Sequence, residues 1–572
     1  MCGIAGIVWT DDPAHSVDRG SLDRLTDSLA HRGPDGRGVL LDGPVGLGHR
    51  RLAILDLSDA GANPLRYQAP DGRTLWIAYN GEVYNFLELR RELESLGHAF
   101  RTATDTEVVA AAYAQWGEGC QERLNGMWAF AIWEPAGRSL FLSRDRFAIK
   151  PLYYLEQGGR FCFASEIKAF LALDGFVPAC DESLVPLLLA NPGRYEGVTD
   201  RTLLAGVRRL PGGHSLRLGP DGALAVRRWW DTAAHLPEVP ARYEEQVERF
   251  RELFLDAVRI RMRSDVPVGT CLSGGVDSSA VAAAMAWLHG GTGAELGRCP
   301  EDWRRAYVAA FPGTAIDERD YADEAARCAG ARPVIWNFDP DEALGCLLDS
   351  VWSMEEVYFG VAVPAWALYR EMRRGGTVVS LDGHGADELL GGYTWYLDLP
   401  MDEVNGRLDA DFHRDLLPAI LRNFDRCSMA HGIEVRMPFM DWRLVCFCAA
   451  LPAEAKIGGG YTKRILRDAM RGVMAEKNRL RRSKFGFNSP MIEWYNGGLA
   501  PLIERITSSP MFLESPHWDG PGLRASVMDK TRRRAWTMAD WVESLGAWTR
   551  MNVVLWRMLF ETRELSASGW AA

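Results

Sequence analysis

The sequence predicts a mixed fold, α+β in its first part and α/β in its second. Three observations predict it. Up to about Leu218, short β-like runs outnumber helical patterns, which points to packed antiparallel sheets with helical cover. From Asp265 strands alternate with helices as in a parallel α/β unit, and from about Leu408 the pattern is mostly helical. Between the two parts, Gly219-Pro220-Asp221-Gly222 and the proline-containing residues 235–242 read as a boundary. The expected division is a first domain over 2–218, a linker over 219–242 and a second domain over 243–572.

In the first part the β-like runs are 3–9, 74–79, 128–133, 139–143 and 161–164. Leu22, Leu25 and Leu29 recur at helical spacing, and 106–116 reads as a helix opened by Thr104 or Asp105. In the second part, 244–262 is a long amphipathic helix. Residues 266–272 read as a strand leading through a Ser/Gly loop into a helix over 280–288, and 377–381 as another strand. The stretch 536–560, rich in Trp, Met and Leu, reads as a buried helical core.

Composition excludes several classes. Of 572 residues, 47% are hydrophobic and 25% charged, so disorder, collagen and coiled coil are out as overall descriptions. Lys plus Arg is 65 against 76 for Asp plus Glu, a net charge of −11, which argues against nucleic acid as a partner. The longest apolar stretch, near 280–288, is far short of a membrane span, and the N-terminus lacks the basic region of a signal peptide. The eleven cysteines are scattered, with no CxxC pair, and Cys446 and Cys448 read as buried core thiols. The expected setting is a reducing cytoplasm. No HExxH, zinc spacing or GxxxxGK[ST] loop occurs.

Two constellations carry chemistry. Cys2 follows the initiator Met, and removal of Met1 exposes an α-amine that titrates near neutrality. One residue then supplies both nucleophile and base, although a buried strand cysteine is the competing reading. His31-Arg32-Gly33-Pro34-Asp35 reads as a compact turn, and Gly48-His49-Arg50-Arg51-Leu52 sets arginines after a glycine-rich strand. Tyr79-Asn80-Gly81-Glu82 reads as a strand end followed by an Asn-Gly turn. An amide beside a glycine N–H suits an oxyanion, while a plain hairpin turn is the alternative. Glu82 and Asp105 can hold a substrate ammonium, and an arginine a carboxylate.

The second constellation is Ser273-Gly274-Gly275-Val276-Asp277-Ser278-Ser279 between strand and helix. Its glycines let backbone approach phosphate, the helix N-terminus offers free N–H groups, and Asp277 suits magnesium.

In order along the chain, MCGIAGI, HRGPDG, GHRRLAILD, YNGEVYN, TDTEVV and SRDRFAIKPLYY resemble the glutaminase domain of class II glutamine amidotransferases. The resemblance covers the first two hundred residues and implies an N-terminal-nucleophile αββα sandwich. It implies that Cys2 attacks the glutamine amide, that Asn80 and Gly81 stabilise the oxyanion, and that Arg51, Glu82 and Asp105 bind the amino acid. SGGVDSS resembles the pyrophosphate loop of ATP pyrophosphatases of the adenine nucleotide α-hydrolase-like fold, with a helical C-terminal part. Asp382-Gly383-His384-Gly385-Ala386-Asp387-Glu388 matches in place the second nucleotide and metal loop of asparagine synthetases. Residues 428–441, 463–467 and 484–487 match further family blocks. The implied ATP-binding residues are Leu272, Ser273, Gly274, Gly275, Asp277, Ser278, Ser279, Asp382, Gly383, Lys463 and Lys484. Asp277 and Asp387 are the implied Mg2+ ligands. Lys463 and His384 are placed in the chemistry.

The chain departs from that family in three places, one of them Leu381-Asp382 in place of the usual apolar-Ser pair. His384 stands where asparagine synthetases generally carry glutamate, and residues 358–364 are almost wholly apolar where many members carry polar acceptor-binding features. The expected activity is ATP-dependent, glutamine-hydrolysing amide formation, nominally aspartate to asparagine. The substrates are glutamine, ATP and an acceptor carboxylic acid, and a homodimer is allowed. A non-aspartate acid from natural-product or surface-sugar chemistry, an intramolecular amide synthetase of β-lactam or lasso-peptide type, and a non-catalytic binder are the alternatives.

Overall fold

β1 (Gly3–Trp9) is buried along its first six residues, which is why every position from Ile4 to Val8 is small or apolar. In the computed structural model the strands that follow are β2 (Gly36–Asp42), β3 (Val45–Arg51), β4 (Leu65–Gln68), β5 (Thr74–Val83), β6 (Gly126–Glu134) and β7 (Ser139–Arg144). After them come β8 (Tyr153–Gln157), β9 (Arg160–Ala164), β10 (Arg208–Arg209), β11 (His214–Leu218) and β12 (Leu224–Arg228). The structure describes residues 2–567 apart from 12–13, 291–296, 315–316 and 484–488.

These strands form two six-stranded antiparallel sheets, ordered β10-β8-β9-β1-β3-β2 and β12-β11-β7-β6-β5-β4. The period of two sorts their side chains. Ile4, Val8, Val45 and Leu47 of the first sheet meet Ala78, Ala129 and Ala131 of the second. Ala5 and Ile7 face the other way, onto Leu22 and Leu25 of α1 (Arg19–Asp27) and Leu29 beyond it. α2 (Phe86–Ser95) and α3 (Asp105–Trp116) cover the second sheet, with Val108 and Val109 packed on Ile77 and Tyr79. The layers are therefore α, β, β, α. Thr104 is the cap of α3, its hydroxyl accepting the Glu107 N–H.

One expectation is corrected. Asn80 and Gly81 form no turn: β5 runs on to Val83, with Asn80 opposite Ala129 and Gly81 opposite Trp128 of β6. A Cβ on Gly81 would stand 2.4 Å from the Met127 carbonyl oxygen and 2.8 Å from the Trp128 Cα. Close approach of β6 demands this glycine, and the Asn-Gly pair mimics a hairpin signal.

The second part is built on α4 (Tyr243–Arg261), β13 (Val268–Cys271), α5 (Val276–His289), β14 (Arg305–Ala310), β15 (Arg332–Asn337), α6 (Leu347–Met354), β16 (Val379–Leu381), α7 (Leu417–Met429), β17 (Glu434–Arg436) and α8 (Trp541–Phe560). Its five strands are parallel, in the order β15-β14-β13-β16-β17. α5 starts at Val276, so Asp277, Ser278 and Ser279 lie in its first turn. Of the 536–560 stretch, Trp541–Phe560 forms the helix and its first turn is exposed at Val542, while Trp548, Trp556 and Phe560 share one core with Leu25, Leu188 and Tyr195. Residues 219–242 include β12, and Trp229 and Trp230 cage the Arg146 guanidinium together with Trp128 and Trp442. No helix of the described residues is long and apolar enough to cross a membrane.

A seam of buried charge joins the two parts. Arg32 is fully buried and donates to Glu166 at 2.7 Å and to both oxygens of Asp425 on α7 at 3.0 and 3.2 Å. Arg426 pairs with Glu355 at 2.9 Å, and Glu355 also accepts from Lys168. Each of these ions is out of water and depends on its partners. Asp425→Ala leaves Arg32 short of a counter-charge and is expected to cost about 3 kcal/mol of stability, read as an earlier chemical-denaturation midpoint.

Candidate active sites

Cys2 stands at the head of β1, between β3 and β9. Its backbone nitrogen donates to Asn80 Oδ1 at 3.0 Å, which ties the first sheet to β5 of the second. Removal of Met1 makes that nitrogen the α-amine. Asn80 Nδ2 is buried and has no partner among the described residues. Arg32 Nε donates to the Cys2 carbonyl at 3.0 Å. Burial pushes the Cys2 thiol up, so it needs a base beside it to become thiolate. His49 does not serve: burial holds it neutral, at about 3, with its Nε2 2.9 Å from the Tyr79 carbonyl.

A cleft opens beside Cys2, lined by Arg51, Asn63, Gly81, Glu82, Asp105 and Glu434 among others, and enclosing about 380 Å³ with its mouth. Arg51 is held by the carbonyls of Ser58, at 2.8 Å, and Asp56. Asp105 Oδ2 accepts from Tyr79 Oη at 2.7 Å and from the Val83 N–H at 2.9 Å, and burial pushes its carboxyl up to about 6. Burial also raises Glu82, which faces Arg436 Nη2 at 3.3 Å. Glu82 Oε1 has no hydrogen-bond partner among the described residues. One unused donor and one unused carboxylate oxygen thus flank the nucleophile, the needs of an oxyanion and an ammonium.

The second site lies at the C-terminal end of β13, the central strand. Gly274 has φ +72°, and a Cβ there would lie 2.4 Å from the Ala322 nitrogen. Ser273 Oγ accepts the Gly275 N–H at 3.3 Å and lies 3.2 Å from Ser278 Oγ. Leu272 is buried, with its N–H on the Tyr307 carbonyl. Lys463, only 3% exposed, places its ammonium between Asp277 and Asp387, 2.6 Å from Asp387 Oδ1. Gly383 and Gly392 make room: a Cβ on Gly383 would stand 2.7 Å from Asp277 Cβ, and one on Gly392 1.9 Å from Asp387 Oδ1.

Asp277 and Asp387 fit a magnesium ion. Two hard carboxylates converge on one cation, here an ammonium. That suits an ion completed by water and substrate phosphates. Asp382 points inward, accepting from the Cys271 N–H at 3.0 Å, Ser380 Oγ at 2.6 Å and Tyr369 Oη at 2.9 Å. Its side chain braces β13 against β16 and does not face the loop. His384 stacks on Phe424 of α7 at 3.4 Å between ring centroids, with its Nε2 3.6 Å from Asp382. Lys484 lies outside the described residues.

Comparison with known proteins agrees with this pairing of sites. Residues 1–230 match the glutamine amidotransferase domain model, and 249–410 together with 400–550 match the asparagine synthase model. The chain belongs to the glutamine-hydrolysing asparagine synthetase family. Two Bacillus subtilis (strain 168) proteins are similar over most of its length. Asparagine synthetase [glutamine-hydrolyzing] 3 is 31% identical over 89% of this chain and 90% of its own. Asparagine synthetase [glutamine-hydrolyzing] 1 is 28% identical over 88% and 90%. Amidase chyE of Penicillium rubens is 34% identical over 69% of this chain and 59% of its own length.

Within this family member, two side chains of the second part reach the cleft beside Cys2. Glu434 lines it, and Arg436 joins Glu434, at 2.6 Å, to Glu82. Their strand, β17, has only three residues, too few for alternation to mark them. Asn478 was also missed; its Nδ2 donates to the Gly274 and Tyr321 carbonyls, both at 2.9 Å, and clamps the phosphate loop.

An ammonium is bound by carboxylates only in their ionised form. Asp105 loses its charge as the pH falls through about 6. The kcat/KM for glutamine should therefore drop on the acid side with an inflection there, and Asp105→Asn should give a lower profile without that inflection.

Proposed function

We propose that this protein is a glutamine-hydrolysing, ATP-dependent amide synthetase, with its glutaminase in 2–218 and its adenylating site in 243–572. The observation that carries the glutaminase half is the Cys2 nitrogen 3.0 Å from Asn80 Oδ1, with Asn80 Nδ2 buried and unused beside it. The freed α-amine takes the thiol proton, and the sulfur attacks the side-chain amide carbon of glutamine. Asn80 Nδ2 and the Gly81 N–H hold the developing oxyanion. The tetrahedral adduct collapses by expelling ammonia, and water hydrolyses the thioester to glutamate. Arg51 binds the substrate carboxylate, and Glu82 and Asp105 its ammonium.

At the second site, the acceptor carboxylate attacks the α-phosphorus of ATP and pyrophosphate leaves. Ammonia then attacks the acyl carbon, and AMP departs. The phosphates lie on Ser273–Ser279, at the N-terminus of α5. Asp277 and Asp387 would hold magnesium, which would neutralise charge at those phosphates. Lys463 leaves its carboxylates to meet the pyrophosphate, and His384 accepts a proton from the attacking ammonia. β17 lies between the two sites: Glu434 borders the cleft beside Cys2, and the Arg436 carbonyl accepts the Asp382 N–H at 2.9 Å. The eleven unpaired cysteines support work in a reducing, cytoplasmic setting.

Cys2→Ala should lower glutamine-dependent turnover by about 10³-fold or more and leave ammonia-dependent turnover in place. Equal loss of both would break the two-site scheme. Asp277→Ala should stop pyrophosphate release while glutamate release from glutamine continues, measured on the same preparation.

A further inference from the structure

Glu82 lines the cleft beside Cys2, and its two carboxylate oxygens have different surroundings. Oε2 faces Arg436 Nη2 at 3.3 Å. Oε1 is buried and has no hydrogen-bond partner among the described residues. Burial disfavours the charged form of this carboxyl, and the guanidinium of Arg436 is the main force against that. Among the described residues, Arg436 is the one side-chain cation within ion-pair distance of Glu82.

Arg436 does not owe its place to Glu82. Its Nε donates to Glu434 Oε1 at 2.6 Å, and its Nη1 donates to the Arg261 carbonyl at 2.7 Å and the Arg263 carbonyl at 2.5 Å. The face of the Tyr84 ring lies 5.5 Å from its guanidinium carbon. Nη2 makes no hydrogen bond among the described residues, so it offers Glu82 a fixed charge rather than an aligned bond. A guanidinium held by three acceptors needs nothing from the cleft to keep its position.

The charge balance describes what the cleft can take. One guanidinium between two ionised carboxylates, Glu82 and Glu434, leaves one net negative charge out of water. An α-ammonium cancels that charge, and Glu82 Oε1 can accept one of its N–H groups. An amide of the same skeleton without the ammonium gains nothing from it.

We infer that Arg436 is a positioning residue that sets the selectivity of the glutaminase for an α-amino acid, by holding Glu82 ionised with Oε1 free for the substrate ammonium. The inference rests on the glutaminase reading above, and it assigns that selectivity to a residue of the synthetase part.

The test compares ammonia release by the full chain from L-glutamine and from glutaramate, which is glutamine with hydrogen in place of the α-ammonium. Wild type is expected to prefer glutamine by about 100-fold or more in kcat/KM. Arg436→Gln removes the charge and keeps a donor for the backbone carbonyls. It should lower that preference by about tenfold or more, through a higher KM for glutamine, with glutaramate within about threefold of wild type. Arg436→Lys restores a charge and should recover part of the preference. If Arg436→Gln is insoluble, Arg436→Met is read in the same way. Equal loss on both substrates marks Arg436 as a brace of β17 only and overturns the inference. So does a wild type that hydrolyses glutaramate as well as glutamine, or an Arg436→Lys no more selective than Arg436→Gln. Cys2→Ala is measured alongside: if it still releases ammonia from glutamine, the glutaminase reading itself falls.

Discussion

Arg436 is the residue on which the two halves of this enzyme turn. Its guanidinium joins Glu434 of its own strand to Glu82 of the glutamine cleft, and all three are buried. Two carboxylates out of water, with Asp105 as a third nearby, would repel one another and take up protons without a cation among them. That cation comes from the synthetase part. The cleft beside Cys2 thus takes one of its buried counter-charges from β17, a physical tie between the two parts of the chain.

The second site shows the same logic with a mobile charge. Asp277 and Asp387 converge because Gly383 and Gly392 leave room, and the Lys463 ammonium between them offsets part of their charge. An ammonium on a flexible stem can be displaced by a metal and phosphates at small structural cost. Neighbouring parts of the loop are rigid by contrast: Asp382 spends its oxygens on three donors, and Asn478 holds the loop from outside. The site therefore combines a fixed frame with one replaceable charge.

Much of this was legible in the sequence. Strands buried on both faces write themselves as unbroken apolar runs, as β1 does, and the Ser/Gly loop with its following helix is a local pattern. Cys2, Asn80, Arg51, Glu82 and Asp105, all proposed for glutamine, do gather at one cleft in the structure. What was not legible depends on long-range contact. Asn80-Gly81 carries the local signal of a turn, yet Trp128 of β6, a distant strand, decides its conformation. Glu434 and Arg436 sit in a three-residue strand too short to show periodicity, and Lys463 was singled out only through family resemblance.

The extended path of Asn80 through β5 also bears on how the protein ages. Asparagine followed by glycine is prone to spontaneous deamidation, because the glycine nitrogen can swing round to attack the side-chain carbonyl and close a ring. In β5 that nitrogen is held in a paired strand, and the Asn80 Oδ1 is occupied by the Cys2 nitrogen. The backbone cannot reach the ring-closing geometry without leaving the sheet. Conversion to aspartate would set a negative charge where the oxyanion forms. The strand that sets this amide beside Cys2 also shields it from slow chemical loss.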